Sequence, residues 1–329
     1  MDKKIVEFDN LSVTFKTEEG IVKAVNGVSF EVRKGEILGI VGESGCGKSV
    51  TSMALMRLLP ASIAKYESGS IKLNGVDILT LTEEEMREKR GSEVAIIFQE
   101  PMTSLNPVMK IGHQIAEVMI VHQKISKSEA KNRAIEMIKL VGIPRAESIY
   151  ESYPHELSGG MRQRIMIAIA LSCSPKVLIA DEPTTALDVT IQAQILDLIR
   201  NMKSKLDTSV MMITHDLGVI AEMADYVIVM YAGKIVEKAK VLDIFKNPKH
   251  PYTIGLMKSK PVFEDGNERL YSIPGQVPNP MNLPNHCYFY DRCDRRKDIC
   301  KKGIPELVSI GNSHHVSCYI LDEEQSYEW

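Results

Sequence analysis

"ILGIVGESGCGKSV", residues 37–50, decides how the rest of the chain is read. "ILGIVG" is a continuous apolar run of strand length that enters a glycine-rich turn. "VTSMALMRLL" follows the turn with helical length and spacing. Gly42, Gly45, Gly47, Lys48 and Ser49 fit the pattern G-x-x-x-x-G-K-[ST]. In that setting the glycines let backbone N–H groups face phosphate oxygens at a helix N-terminus. Lys48 can reach the β- and γ-phosphates, and the Ser49 hydroxyl can ligate Mg²⁺. A chance glycine turn would lack both the strand and the helix. The loop contacts expected for a nucleoside triphosphate are therefore Gly42, Glu43, Ser44, Gly45, Cys46, Gly47, Lys48, Ser49 and Val50. Cys46 reads as a small tolerated residue, not as a redox switch.

Composition bounds the rest. The 329 residues allow about two domains, or one large domain with an appendage. A hydrophobic fraction of 44% is ample for a core, and a formal charge of −3 gives no global basic field for nucleic acid. No apolar run approaches the roughly 18 residues that span a bilayer. "MDKKIVEFDN" has no signal-peptide core, so the expected location is cytoplasmic, with any membrane role supplied by a partner.

Along the chain, residues 1–37 alternate short apolar runs with turns and predict a small sheet of edge strands. "SIKLNG" and "VAIIF" predict strands around an acidic helix, "TEEEMREKR". From about 107 to 156 the character is helical and polar. "KVLIA" and "VMMIT" predict strands buried on both faces, as in a parallel sheet, and "YVIVMYAGKIVEKA" predicts a closing hairpin. After about residue 245, Pro, Asn and Lys accumulate, as in a linker or appendage.

Two further motifs carry chemistry. The apolar strand in "KVLIADEP" (176–183) ends in Asp181 and Glu182. Asp181 suits a water-mediated hold on Mg²⁺, and Glu182 suits activation of the attacking water. "LSGGM" (Leu157, Ser158, Gly159, Gly160, Met161) opens a helix whose free N–H groups form a second anion site. Taken alone, that motif would be an ordinary N-cap at Ser158.

Together these residues resemble the ATP-binding subunit of an ABC transporter, over about residues 5–245. "LSGGM" is similar to the family's LSGGQ signature, with Met161 in place of Gln. "IIFQEP" supplies Gln99 at the position of the Q-loop glutamine. "ALD" (186–188) resembles the D-loop, where Asp188 suits a contact across a dimer interface. "ITHD" supplies His215 at the position of the switch histidine, which can bond the γ-phosphate and position Glu182. Phe15 falls where the family stacks an aromatic on adenine, although it also fits a strand core. The resemblance implies an α/β fold: a P-loop NTPase (RecA-like) core, an antiparallel β subdomain and a helical signature subdomain at about 100–160. It also implies ATP with Mg²⁺ at Ser49, Gln99 and Asp181, with Glu182, His215 and Gln99 catalytic. One loop and one signature per chain imply head-to-tail pairing with an identical or paralogous ATPase subunit.

"NPKHPYTIGLMKSKP" (247–261), "SIPGQVPNP" (272–280) and "QEPMTSLNPVMKIGHQI" (99–115) resemble oligopeptide, dipeptide and nickel importer ATPases. The expected organisation is an ATPase domain at 1–245 and a small, irregular, Cys-rich extension at 246–329. The implied role is to power uptake of di- or oligopeptides from the cytoplasmic face of the membrane. Two permeases and an external peptide-binding protein would be partners, and nucleic acid would not. The alternatives are a nickel or other small-solute importer subunit, or a soluble ABC ATPase.

Cys287, Cys293, Cys300 and Cys318 are spaced C-x5-C-x6-C-x17-C. That matches neither the tight pairs of structural zinc nor ferredoxin spacing. By count, four thiolates suit zinc or an iron–sulfur cluster equally, and unligated or disulfide-bonded cysteines are a third reading. The resemblance implies a [4Fe-4S] cluster. His286, His314 and His315 are close enough in sequence to substitute in a zinc site, and Cys173 is expected as buried core on the signature helix.

Overall fold

A computed structural model describes residues 3–99, 104–185, 187–259 and 271–321. Parts of two quoted stretches, 100–103 and 260–261, lie outside the described residues, as does Ala186 of the D-loop motif. In chain order the elements are β1 (Lys4–Lys16), β2 (Ile21–Arg33), β3 (Ile37–Val41), α1 (Lys48–Leu55), β4 (Ala64–Leu73), β5 (Val76–Asp77), α2 (Glu83–Lys89) and β6 (Val94–Ile97). They continue with α3 (Ile111–Gln123), α4 (Lys127–Leu140), α5 (Ala146–Glu151), α6 (Gly159–Leu171), β7 (Val177–Asp181), α7 (Val189–Leu206) and β8 (Ser209–Ile213). The last are α8 (Leu217–Met223), β9 (Tyr226–Tyr231), β10 (Lys234–Lys240), α9 (Val241–Lys246), α10 (Pro251–Lys258), β11 (Val308–Gly311) and β12 (His314–Val316).

The chain forms two compact units, each discontinuous in sequence. The first comprises Met1–Val6, Val32–Ile37 and Lys72–Ile213, and the second Glu7–Glu31, Leu38–Ile71 and Thr214–Trp329.

In the first unit β6, β7 and β8 pair in parallel, with Val94 opposite Val177 and Val177 opposite Ser209. Every residue of β7 and β8 is buried, as their unbroken apolar runs predict. The crossover between them is α7, which buries Ile195, Leu196, Leu198, Ile199 and Met202 on one stripe. The acidic helix α2 begins with a reciprocal capping box between Thr82 and Glu85. The helical region is α3, α4 and α5, with Ser126 capping α4. Gly112 lets α3 approach Tyr150 closely, since a Cβ there would lie 2.0 Å from the tyrosine ring. Helix α6 buries residues on all sides, including Gln163, Ile165, Met166 and Ile167. Cys173 departs from expectation: it lies just past the end of α6 and is half-buried, with its thiol donating to the Val118 carbonyl at 3.6 Å.

In the second unit β1 lies between β2 and β4. Strand β3 is fully buried and pairs in parallel with β9, Leu38 opposite Tyr226 and Val41 opposite Val229. The predicted hairpin is β9–β10, with Tyr231 opposite Lys234. Ala232 and Gly233 both have positive φ, 46° and 81°, the backbone of a two-residue primed turn. The hairpin does not close the sheet. Strand β12 pairs antiparallel with β10, and β11 with β12, so part of the tail is regular strand.

Residues 250–257 also differ from an exposed linker: His250, Pro251, Tyr252, Thr253, Ile254, Gly255 and Met257 are buried. The anchor is Glu237, fully buried in β10. Its carboxylate accepts from the Lys249 N–H (2.8 Å) and the His250 N–H (2.9 Å) and pairs with His314 Nε2 (2.7 Å). A buried carboxylate needs such partners to offset its lost hydration.

Candidate functional site

The second unit holds the phosphate loop between β3 and α1. Gly42 and Gly47 have φ of 153° and 101°. A Cβ on Gly42 would lie 2.2 Å from the Met230 carbonyl oxygen, and one on Gly47 2.6 Å from that of Ala24. Only glycine fits these positions. Lys48 is buried, and its Nζ donates to the carbonyls of Gly42 (2.7 Å) and Glu43 (3.0 Å). The ammonium is thus held inside the turn. Ser44, Gly45 and Ser49 are exposed at the mouth of the loop, and Val50 is half-buried. Cys46 is buried beside Lys48; burial pushes its thiol pKa up, which opposes thiolate reactivity. Phe15 on β1 is half-buried, not sealed in the core. His215 is exposed between Thr214 and the capping residue Asp216.

The first unit holds the other motif residues. Gln99, exposed after β6, donates through Nε2 to Glu182 Oε2 at 2.8 Å. The Thr185 hydroxyl donates to the same oxygen at 2.9 Å. Asp181 is buried at the end of β7. Glu182 has φ of 46°, a left-handed conformation uncommon for a side chain of this kind. Its N–H donates to the Ile213 carbonyl at 2.8 Å, which holds the turn. The backbone conformation costs of order 1–3 kcal/mol and aims the carboxylate where Gln99 and Thr185 meet it.

Leu157 is buried ahead of α6, whereas Ser158 and Gly159 are exposed. The Ser158 hydroxyl accepts from the Met161 N–H at 3.3 Å and so caps α6. Gly160 is tight, since a Cβ there would lie 3.1 Å from Ile191. Gly159 faces open space within its own unit. Asp188 caps α7 by accepting from the Ile191 N–H at 2.9 Å.

Sequence reasoning missed Gln163. It is buried in α6, and its Nε2 donates to the carbonyl of Pro183 at 2.6 Å, tying the signature helix to the residue after Glu182. A polar residue beside the apolar run "IMIAIA" was the available signal. It also missed Tyr252, whose hydroxyl accepts from the Glu43 N–H at 2.8 Å, and Arg292, which pairs with Glu43.

In the second unit Cys287, Cys293, Cys300 and Cys318 line one cleft, together with Arg296 and His250. Burial pushes the Cys287 thiol up to about 11, and the other three sulfurs add to that. Against burial, backbone N–H groups two residues on face three of the sulfurs: Phe289 at Cys287, Arg295 at Cys293 and Ile320 at Cys318. The last is 3.3 Å long. Among the described residues no three His, Cys, Asp or Glu side chains already converge on a metal position. The histidines expected as zinc substitutes are otherwise engaged: His314 with Glu237, His286 edge-on to Tyr290, and His315 towards the Ser313 carbonyl.

A family model described as ABC transporter matches residues 25–185, and one described as oligopeptide/dipeptide transporter, C-terminal region, matches 236–300. The oligopeptide transport ATP-binding protein AppD of Bacillus subtilis (strain 168) is 52% identical over 320 residues, 97% of this chain and 98% of AppD. This chain belongs to the oligopeptide/dipeptide family of ABC transporter ATP-binding proteins. The dipeptide transport ATP-binding protein DppD of the same strain is 48% identical over 325 residues, 99% of this chain and 97% of DppD. Among solved structures, the ATP-binding cassette MJ0796, in a dimeric post-hydrolysis state bound to ADP and Pi, aligns with a TM-score of 0.64 at 26% identity. That alignment covers 72% of this chain and 98% of the cassette. The fold is accordingly that of a P-loop ABC cassette with mixed sheets, and this family member is an ABC-type ATPase. No helix among its described residues is long and apolar enough to cross a membrane.

Proposed function

We propose that this chain binds ATP and Mg²⁺ and uses hydrolysis to power import of di- or oligopeptides through two permease subunits fed by an external peptide-binding protein. The observation that carries the reading is near-full-length identity of 52% with an oligopeptide transport ATP-binding protein. The relatives named above are described by peptides, which favours peptides over nickel. The chain would act as a peripheral subunit on the cytoplasmic face of the membrane. The cassette would occupy 1–245 and the extension 246–329.

In this reading residues 42–50 cradle the phosphates, and Phe15 stacks on the adenine. Ser49, Asp181 and Gln99 are the residues that would hold Mg²⁺, which supplies charge neutralisation on the phosphates. Glu182 accepts the proton of the attacking water at its carboxylate, and the Gln99 and Thr185 bonds keep that carboxylate aimed. His215 bonds the γ-phosphate. The signature residues Leu157 to Met161 serve the nucleotide of a second ATPase subunit, and Asp188 contacts that subunit. Gly159 leaves room for this: it is exposed, and nothing lies within 4 Å of where a Cβ would be.

Cys287, Cys293, Cys300 and Cys318 would hold a [4Fe-4S] cluster, with zinc as the alternative. The supporting observations are four thiols on one cleft, N–H groups at three of them, and the Arg296 charge beside them. A cluster held by these four thiols would cross-link the tail.

The experiment is uptake of a labelled tripeptide by cells lacking this gene. Wild type restores uptake and Glu182→Gln does not. Undiminished uptake in the deletion strain, with no paralogue expressed, would contradict the reading.

A further inference from the structure

The tail meets the phosphate loop at Glu43. Arg292, in the 3-10 turn just before Cys293, donates through both terminal nitrogens to the two Glu43 carboxylate oxygens, at 2.8 and 3.1 Å. The guanidinium is held on its other sides. Its Nε donates to the Pro274 carbonyl at 3.0 Å, and a terminal nitrogen donates to that of Ile273 at 3.2 Å. The rings of Tyr231 and Phe289 face it at 5.7 and 5.9 Å. Only 5% of the Arg292 side chain is exposed, so the fork is immobilised before it meets the carboxylate.

Every polar group of Glu43 is engaged. Its carboxylate is held by Arg292 and its N–H by the Tyr252 hydroxyl, also from the C-terminal segment. Its carbonyl accepts from Lys48 Nζ at 3.0 Å and from the Cys46 N–H at 3.3 Å. A loop with glycines at φ of 153°, 78° and 101° has much conformational freedom to lose on binding a ligand. Fixing Glu43 from both sides removes part of that freedom beforehand.

We propose that Arg292 is a positioning residue for the nucleotide site: by clamping Glu43 it presets the first turn of the phosphate loop, so the C-terminal segment contributes directly to nucleotide affinity. Arg292 need not touch the nucleotide. This rests on residues 42–50 being the nucleotide loop, which Lys48→Ala tests separately by abolishing binding.

The test is equilibrium titration of the full-length chain with MgADP, alongside steady-state ATPase assays. Arg292→Gln and Glu43→Gln should each raise the Kd about tenfold. The double variant should bind within about twofold of either single variant, because both remove the same contact. In Arg292→Gln the KM for ATP should rise in parallel, with kcat within about twofold of wild type. Glu43→Gln leaves the Arg292 bonds to Ile273 and Pro274 in place, so misfolding of the tail does not account for its loss. A Kd within twofold of wild type in Glu43→Gln would overturn the proposal. So would multiplied losses in the double variant, or a fall in kcat with unchanged affinity.

Discussion

Glu182 combines three features: a left-handed backbone, a position after a fully buried strand, and one carboxylate oxygen accepting from both Gln99 and Thr185. Removal of a general base typically costs 10²–10⁴-fold. Glu182→Gln should therefore lose at least about 100-fold in ATP turnover, with ATP affinity within a few-fold of wild type. Phosphate release and nucleotide titration measure the two. Gly112→Ala should destabilise the first unit by about 1–3 kcal/mol, because its Cβ would enter the Tyr150 ring; urea denaturation reads this. The candidate site residues could be singled out in the sequence because phosphate and magnesium chemistry would demand such spacing. Arg292 could not, since its partner Glu43 lies 249 residues away and neither residue carries a local signal of the other. Gln163 carried a local signal, a polar residue beside an apolar run, but only the fold brings it to Pro183.

Most elements could be read from apolar periodicity. The unbroken runs of β3, β7 and β8 read as buried strands and are buried throughout. The chain beyond β10 was less legible. Pro, Asn and Lys in the tail resemble a linker, yet Glu237 draws α10 and β12 onto β10 through buried bonds to Lys249, His250 and His314. Composition does not report such long-range anchoring. His250 begins α10 and needs a neutral ring, because its Nδ1 accepts from the Tyr252 N–H at 3.1 Å. Burial lowers its pKa from 6.5 to about 4, with Glu237 opposing that in part. Between those pH values the native state binds fewer protons than the unfolded chain, so stability rises with pH. The contribution is complete above pH 6.5 and is lost as pH falls towards 4; it is on the order of 3 kcal/mol. His250→Asn keeps a capping acceptor without the titration. Its stability should fall less than that of wild type between pH 6.5 and 4, by chemical denaturation at each pH.

At the scale of the molecule, one phosphate loop and one signature per chain point to function in pairs. The Glu182→Gln chain should form an ATP-dependent dimer, with itself or with a paralogous subunit, that dissociates when ATP is removed. Light scattering measures this. Anaerobically purified protein should carry about four iron and four sulfide per chain, and stoichiometric zinc without visible absorbance would reject the cluster. The expectations of pairing and of a cluster came only through resemblance, because neither the cysteine spacing nor a single chain contains its own completion. The central claim is that this ATPase drives peptide import, and coupled turnover in proteoliposomes tests it most directly. Permeases, this subunit and its ATPase partner are reconstituted together, and phosphate release and labelled-peptide accumulation are monitored as peptide-loaded binding protein is added. The account predicts that both rise together and that Glu182→Gln abolishes both. Phosphate release indifferent to the loaded binding protein, with no peptide accumulating in an intact assembly, would contradict it.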